Sequence, residues 1–413
     1  MKLTMVIPSY WGRKEADGWR EGDAIYDHPV PLDQEGTLGR AIASTAILND
    51  KDFRLVIIAV ATSPEIEAEV EKKVKGIVIE ASAKTDLDVL VFGPSHLKQI
   101  HELLRANGKK EYTELLKLRG YSNIRNLCIF IPHILGSELA LLIDDDEVFE
   151  DPDFIGKAQE FIGSEFEGEP VNAVAGYYLQ EDGDYHVRRE HRPWMDYWDK
   201  HARMNEAFDL FIGTGPRLKV TPFVFGGNMI IHRDLFTVVP FDPGVTRGED
   251  IDYLMNAKIF GFDFFLDNEL SIKHLPPPKP HPTWKQLRED IYRFVYEKAK
   301  IDGQKDIEGL TRITPEQFDP YPGCFLKEDL FEKIEKACKL LSEEYLSSGS
   351  RKDSEEALKN IELARTDAIP AYNPFDHLCE IQRLWQDMME YTGNTEVRSE
   401  MQAIIEGKGC EKK

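Results

Sequence analysis

Apolar runs alternate with helix-like stretches through residues 2–146, and this alternation constrains the fold most strongly. Four runs have the length and composition of buried strands: "KLTMVIPSY" (2–10), "FRLVIIAVATS" (53–63), "LDVLVFGPS" (87–95) and "ELALLIDDD" (138–146). Helical stretches lie between them, at 37–49, 64–81 and 123–135. Strands joined through helices favour a mostly parallel α/β sheet with helices on both faces. Ligands of such sheets bind at the carboxyl ends of the strands.

The fourth run ends in three aspartates, Asp144, Asp145 and Asp146, followed by Glu147. One interpretation is a solvated loop or a cap for the next helix, where carboxylates suit the helix dipole. The other is a divalent cation, because carboxylate oxygens suit Mg²⁺ or Mn²⁺ and a bound ion reverses the local repulsion. The position at the carboxyl end of a strand favours the cation.

The second half of the chain predicts a change of architecture. Further strands are expected at 171–180, 219–233 and 262–275, with a helix at 248–261. The proline-rich stretch "HLPPPKPHP" (274–282) predicts a domain boundary, with a catalytic domain at 1–280 and a helical C-terminal domain at 281–413. Amphipathic helices are predicted in the latter at 283–301, 328–346, 354–365 and 374–393, followed by a frayed tail at 406–413.

Composition excludes several classes of function. The formal net charge of −23 argues against binding a nucleic-acid backbone or an anionic membrane surface. Five scattered cysteines without CxxC spacing indicate neither a zinc site nor a disulfide framework. No apolar run approaches the roughly 20 residues of a membrane span, and the first strand leaves no room for a signal peptide. We therefore expect a cytoplasmic protein that is not an integral membrane protein.

Six motifs follow one another in a recognisable order: "VIPSY" (6–10), "SNIRNLCIF" (122–130), "LIDDDEVFEDP" (142–152), "FGGNMIIHRDLF" (225–236), "RGEDIDYLMNAKIFGF" (247–262) and "SIKHLPP" (271–277). In this order they resemble the GT-A fold glycosyltransferases, closest to the family-2 type, over about residues 1–280. The resemblance implies a Rossmann-like GT-A sheet and a metal-dependent hexosyltransferase. Such an enzyme moves a sugar from a nucleotide-diphosphate donor to a hydroxyl acceptor, here a small molecule or a glycan.

The resemblance also implies a metal site for Mg²⁺ or Mn²⁺ built from Asp144, Asp146 and His274. Asp146 matches the direct ligand, and Asp144 would face the ribose or reach the ion through water. Asp145 occupies the variable position. The alternative for His274 is a hydrogen-bonded surface histidine, and His281 is a nearby rival.

The acid pair Glu249–Asp250 matches the catalytic dyad of the resembling inverting enzymes. Asp250 would then be the general base toward the acceptor hydroxyl, and Glu249 would bind acceptor or donor. Helix capping by these acids is the alternative. In retaining enzymes of the same fold, Asp250 would not be a base.

Donor contacts carry over to positions that match the motifs: Pro8, Tyr10, Thr62, Arg125, Asn126, Asp144, Gly227 and Asn228. Pro8 and Tyr10 would border the nucleobase, and Arg125 would reach a phosphate or the sugar. The family usually places an acid at the end of the second strand, where this chain has "AVATSP" (59–64). Thr62 or Ser63 would substitute for that acid.

Two further segments have predicted roles. The insertion at 12–37 is long enough to be functional, and its Arg13 or Arg20 could meet phosphate. The aromatic residues Trp194, Tyr197 and Trp198 could form a platform for the acceptor, with core packing as the alternative.

Three other interpretations stay open. In a phosphatase or mutase of the haloacid dehalogenase class, Asp144 would be the nucleophile and Asp146 an acid/base. A sugar-phosphate nucleotidyltransferase would need a glycine-rich first loop that "IPSYWGRK" (7–14) lacks. A non-catalytic scaffold with a degenerate transferase domain is the third. The C-terminal helices are also candidates for a homodimer contact.

Overall fold

The computed structural model describes residues 1–85, 87–278 and 281–408. Ten of its strands form one sheet in the order β10-β12-β9-β11-β5-β1-β3-β4, with β2 beside β1 and β6 beside β12. These strands are β1 (Leu3–Gly12), β2 (Val30–Pro31), β3 (Phe53–Ala61), β4 (Val89–Phe92), β5 (Leu139–Ile143), β6 (Glu147–Val148), β9 (Ala173–Leu179), β10 (Leu218–Val220), β11 (Asn228–His232) and β12 (Phe265–His274). A separate hairpin pairs β7 (Glu165–Phe166) with β8 (Glu169–Pro170).

Helices surround this sheet and form the C-terminal third of the chain. The first eight are α1 (Leu38–Ser44), α2 (Glu67–Ser82), α3 (Pro94–Ala106), α4 (Tyr121–Leu135), α5 (Phe154–Glu160), α6 (Lys200–Phe211), α7 (Arg233–Phe236) and α8 (Glu249–Ile259). The last five are α9 (Thr283–Asp302), α10 (Leu330–Ser347), α11 (Arg351–Arg365), α12 (Pro374–Gly393) and α13 (Thr395–Ile405). Within the described ranges, no helix combines the length and apolarity needed to cross a membrane.

The four predicted N-terminal strands form the parallel half of the sheet. β1 pairs in parallel with β3 from Leu3↔Phe53 to Trp11↔Ala61, and with β5 on its other side. β4 extends the parallel half beyond β3, whereas β11 enters antiparallel to β5. The mostly parallel α/β fold predicted from the sequence is therefore confirmed.

Side chains of β1 and β3 alternate between two apolar clusters, one on each face of the sheet. Met5 and Ile57 belong to the cluster covered by α1, α2 and α5. Val6 and Ile58 belong to the cluster covered by α3, α4 and the C-terminal helices. Helices on both faces follow from this double-sided burial, as the near-continuous apolar runs predicted.

One predicted strand divides into two. The stretch 219–233 forms β10 at the sheet edge and β11 beside β5, with a connection at 221–227 between them. Pro222 lacks an amide hydrogen, and Gly226 and Gly227 weaken strand pairing, so the ladder breaks there. The break places the two glycines over the end of β5.

The C-terminal helices pack against the helices of the sheet. Trp385 in α12 donates its indole hydrogen to the Phe236 carbonyl at 2.9 Å, and Arg398 in α13 donates to the Ile134 carbonyl at 3.1 Å. The sequence pattern missed α3 and α13. Part of the predicted break (Lys279, Pro280) and of the predicted tail (409–413) lies outside the described residues. The division into domains at 280/281 stays a proposal.

Candidate active site

The turn after β5 and the end of β12 bring the acid triplet against His274. β6 pairs antiparallel with β12, which sets Glu147 opposite His274. His274 Nε2 lies 3.5 Å from Asp146 Oδ2, and the imidazole stacks on Tyr178 with ring centroids 4.7 Å apart. The Leu275 amide also donates to the Asp146 carbonyl at 2.9 Å. Three sheet elements therefore fix the orientation of one carboxylate–imidazole pair.

Arg125, in the second turn of α4, joins the acid triplet to the acid pair. Its Nη2 donates to Asp144 Oδ1 at 2.8 Å, and its Nε donates to Glu249 Oε1 at 3.1 Å. The guanidinium is only 3% exposed, and its Nη1 has no partner among the described residues. Such charge-assisted hydrogen bonds are among the stronger ones in proteins. One buried cation thus holds two distant motifs of the sequence in a single site.

The glycine loop before β11 orients the second acid of the pair. The Gly226 amide donates to Asp250 Oδ2 at 3.1 Å, and the Ile251 amide donates to Asp250 Oδ1 at 2.8 Å. The Gly227 amide donates to the Tyr178 hydroxyl at 2.7 Å. A Cβ at Gly227 would clash with the carboxylate of Glu147. Only glycine allows this close approach of the loop to the acids.

Burial changes the pKa of each acid in the turn. It raises the pKa of Asp144 although Arg125 opposes the shift. Burial and the charge of Asp146 raise the pKa of Asp145 well above its usual range, although Ser9 donates to Asp145 Oδ2 at 2.6 Å. For Asp146 burial is outweighed by the hydrogen bond from His274, and its pKa is lowered. Asp146 is therefore the one aspartate of this turn whose pKa is lowered.

Two further acids are protonated more readily than usual because they are buried. Burial and the charge of Asp144 raise the pKa of Glu147 well above its usual range, and its Oε1 has no hydrogen-bond partner in the described ranges. Burial raises the pKa of Glu249 to about 7, against the opposing charge of Arg125. Acids this close favour either protonation or a neutralising cation.

Two side chains, Asp146 in the turn after β5 and His274 at the end of β12, are suited to hold a divalent cation. Asp146 provides the carboxylate oxygen that Mg²⁺ and Mn²⁺ prefer, and the imidazole nitrogen of His274 suits a transition-metal ion such as Mn²⁺ better than Mg²⁺. Asp144 is turned toward Arg125, and Asp145 is turned toward Ser9. Accordingly, the described part of the chain contains no cluster of three or more His, Cys, Asp or Glu arranged to hold an ion. The predicted ligand role of Asp144 stays a prediction.

A cleft of about 820 Å³ opens over these residues. Its volume lies within the range of about 300–1,000 Å³ usual for ligand sites. The predicted residues that line it are Tyr10, Arg125, Asp144, Asp146, Trp194, Trp198, Glu249, Asp250 and His274, whereas Gly227 is outside the lining. Most of the predicted site is therefore gathered around one cavity.

Several predicted donor contacts lie in the scaffold instead. The Asn126 side chain exchanges two hydrogen bonds with the Phe241 backbone, at 2.9 and 2.8 Å. Asn228 Nδ2 donates to two carbonyls of neighbouring strands, at 3.2 and 3.0 Å. Thr62 is buried, with its amide donating to the Trp11 carbonyl, and Pro8 pairs with Ile58 inside the sheet. These four side chains are outside the residues that line the cleft.

The insertion at 12–37 packs against the end of β1, where Tyr10 lies. Tyr26 packs on Tyr10 with ring centroids 4.6 Å apart. Arg13 donates to Asp23 at 2.9 Å, within the insertion, and to Glu65 at 2.7 Å, in the segment after β3. The guanidinium of Arg13 is therefore paired with carboxylates of this chain, and its phosphate contact stays a prediction.

Of the three predicted platform residues, two line the cleft. Trp198 is buried and packs on Phe325 with ring centroids 4.8 Å apart. This is the core packing that the sequence analysis gave as the alternative to an acceptor platform. Trp194 lies at the cleft surface. Tyr197 is 38% exposed and lies under Lys336, away from the cleft.

Sequence reasoning missed a group of basic residues that also line the cleft. Lys200 in α6, Arg247 before α8 and Arg293 in α9 all line it. One signal could have revealed Arg293. The charged residues Asp290, Arg293 and Glu297 occur among the apolar positions of an amphipathic helix, where charges are normally excluded.

Comparison with solved structures returns distant similarities. A mannosyltransferase from Pyrobaculum calidifontis, solved with GDP-mannose and Mn²⁺, is 13% identical over 96% of this chain and 87% of its own, with a TM-score of 0.42. A mycobacterial protein is 14% identical over 71% of this chain and 72% of its own, with a TM-score of 0.39. GalNAc-T7, solved with UDP, GalNAc and Mn²⁺, is 13% identical over 85% of this chain and 58% of its own, with a TM-score of 0.36. No family model and no curated protein matches the sequence.

Proposed function

We propose that this protein is a metal-dependent glycosyltransferase that moves a sugar from a nucleotide-diphosphate donor to a hydroxyl acceptor. The observation that carries the proposal is the Arg125 bridge. One buried guanidinium holds Asp144 of the acid triplet and Glu249 of the acid pair at 2.8 and 3.1 Å, inside a single cleft. A cation site and a base at the carboxyl ends of parallel strands suit transfer from a phosphate-bearing donor.

Asp146 and His274 are the side chains that would hold the cation. Mg²⁺ at phosphate-transfer sites is commonly bound through one or two carboxylates and completed by substrate phosphates and water, so a two-residue protein set suffices. The bound cation supplies Lewis-acid stabilisation of the departing nucleoside diphosphate. Arg125 adds a fixed positive charge beside Asp144 at the same end of the cleft.

Asp250 is the proposed general base. Amides at 3.1 and 2.8 Å hold its two oxygens, so the carboxylate is oriented before substrate arrives. The acceptor hydroxyl gives its proton to Asp250 as its oxygen bonds to the anomeric carbon. The bond from that carbon to the donor phosphate breaks, and its electron pair leaves on the nucleoside diphosphate. Attack opposite the leaving group inverts the anomeric centre.

The proposal is tested by supplying UDP-, GDP-, CDP- and ADP-sugars with Mn²⁺ and a panel of small-molecule and glycan hydroxyl acceptors, and measuring release of the nucleoside diphosphate. We expect one donor to be cleaved, with loss of cleavage in EDTA. Asp250→Asn should keep donor binding and slow transfer by roughly 10²–10⁴-fold. The exposed Asp306→Asn is the matched control. No cleavage of any donor, together with a phosphoryl group trapped on Asp144 from a sugar phosphate, would replace the proposal with a phosphatase.

A further inference from the structure

Three cationic side chains form one wall of the cleft, here called the basic wall: Lys200, Arg247 and Arg293. Each is largely buried, with side-chain exposures of 14%, 14% and 3%. They come from α6, from the segment before α8 and from α9, so separate parts of the chain converge on one wall. Burying cations is costly unless they are paired or meet an anion.

Arg293 has hydrogen-bonding capacity that the protein does not use. Its Nε donates to Glu297 Oε1 at 2.8 Å, and its Nη1 donates to the Tyr321 hydroxyl at 3.4 Å. Its Nη2 is buried and has no partner in the described ranges. Leaving a charged donor unpaired in the interior is unfavourable, and such groups merit a functional explanation.

The carboxylates nearest to the basic wall leave part of its hydrogen-bonding capacity unused. Lys200 lies 2.7 Å from Asp290, and Arg247 lies 3.5 Å from the same carboxylate and 2.8 Å from Asp27. Lys200 and Arg247 thus share one carboxylate, and Arg293 pairs with Glu297, which does not line the cleft. The crowding is visible at Lys200, where burial, with help from Arg247 and Arg293 and against Asp290, lowers the pKa to about 8.

Arg293 also lies next to the proposed base. A Cβ at Gly248, the N-cap of α8, would clash with Arg293 Nη1, and Gly248 stands two residues before Asp250. On its other side Asp250 accepts from Gly226, where a Cβ would lie 2.9 Å from Arg125 Nη2. Asp250 therefore lies between the Arg125 end of the cleft and the basic wall.

We propose that the basic wall binds a carboxylate or phosphate group of the acceptor, so that the acceptor is a small anionic hydroxyl compound. The inference rests on the proposed function and names the class of its acceptor. The donor diphosphate is accounted for at the Asp146–His274 end, and the acceptor hydroxyl belongs at Asp250. The anionic group of the acceptor, one bond or a few bonds from that hydroxyl, then meets Arg293 and Lys200.

The test uses the full chain with saturating Mn²⁺ and the nucleoside diphosphate that it binds best. Calorimetric titration compares glucose, glucuronate and glucose 6-phosphate, which share a ring and differ at one carbon, with acetate and inorganic phosphate as bare anions. We expect a charged probe to bind and glucose not to bind. Preference for glucuronate over glucose 6-phosphate identifies a carboxylate acceptor, and the reverse preference identifies a phosphate acceptor.

Variants locate the binding. Lys200→Gln should weaken binding of the charged probe about tenfold or more, the cost of one charge-assisted hydrogen bond. The double variant Arg293→Gln with Glu297→Gln should do the same without leaving Glu297 as an unpaired buried charge. Arg288→Gln is the matched control, because Arg288 lies on the same helix and pairs with Glu356 outside the cleft lining.

Three outcomes would overturn the inference. These are equal binding of glucose and the charged probes, unchanged binding in both wall variants, and direct competition between the charged probe and nucleoside diphosphate. Nucleotide binding without binding of any probe would remove the anionic acceptor and leave the proposed function standing. If the charged probe bound but no nucleotide did, both the acceptor-binding role of the basic wall and the proposed function would be overturned.

Discussion

The ammonium of Lys300 in α9 lies 2.6 Å from Asp252 Oδ1 in α8. The same ammonium lies 2.8 Å from Asp242, and all three side chains are almost fully buried. The helix that carries Asp250 is thereby tied to the first helix of the C-terminal segment. This cross-link explains how a segment without catalytic motifs helps to position the candidate site.

Lys300→Met is predicted to destabilise the fold by about 3–5 kcal/mol, because it leaves two buried carboxylates without their cation. Lys298→Met is the matched control on the same helix. Its partners Asp302 and Glu328 are exposed, so we expect a loss below about 1 kcal/mol. Urea denaturation of the two variants measures the difference. Equal losses would show that the buried triad contributes no more than a surface pair.

The sequence predicted the parallel half of the sheet because its strands are buried on both faces and therefore have near-continuous apolar runs. The resemblance in motif order grouped the acid triplet, the acid pair and His274, and all of them line one cleft in the structure. It missed the Arg125 bridge and the basic wall. These depend on contacts between distant segments, such as Arg125 with Glu249, that no local pattern records.

Arg125→Gln is predicted to cost about 3–5 kcal/mol of stability, because Asp144 and Glu249 lose a buried cation. Donor binding should fall with it, since the variant removes the link between the two acid motifs. Arg351→Gln, which breaks an exposed pair with Glu355, should change stability by about 0–1 kcal/mol. Thermal and urea denaturation check the first effect, and nucleotide titration checks the second. A stable Arg125→Gln protein with unchanged nucleotide affinity would contradict the bridge's role.

Gly227→Ala is predicted to displace the loop from the acids. Its Cβ would lie 2.7 Å from the Asp144 carboxyl carbon, closer than unbonded atoms approach. We expect loss of transfer and a measurable loss of stability. Gly156→Ala in α5 meets no atom within 4 Å and should be neutral or slightly stabilising, by up to about 1 kcal/mol. Comparison of the two melting temperatures and activities decides whether the close approach matters.

Stability is predicted to fall as the pH rises from 4.5 to 7, in part through Glu249. Its pKa is about 7 in the folded protein, raised by burial above the 4.5 of an exposed glutamate. Within this window the folded protein holds the proton that the unfolded chain has released, so raising the pH favours unfolding. One such group contributes at most about 1.4 kcal/mol per pH unit. Glu249→Gln should flatten the profile, and the exposed Glu308→Gln should leave it unchanged.

The central claim is that a cation held by Asp146 and His274 binds the donor diphosphate, and calorimetric titration of UDP, GDP, CDP and ADP tests it most directly. We expect one nucleotide to bind with Mn²⁺ and not in EDTA. Asp146→Asn should lose this binding, whereas Asp250→Asn should retain it. Metal-independent binding, or equal affinity in wild type and Asp146→Asn, would contradict the claim.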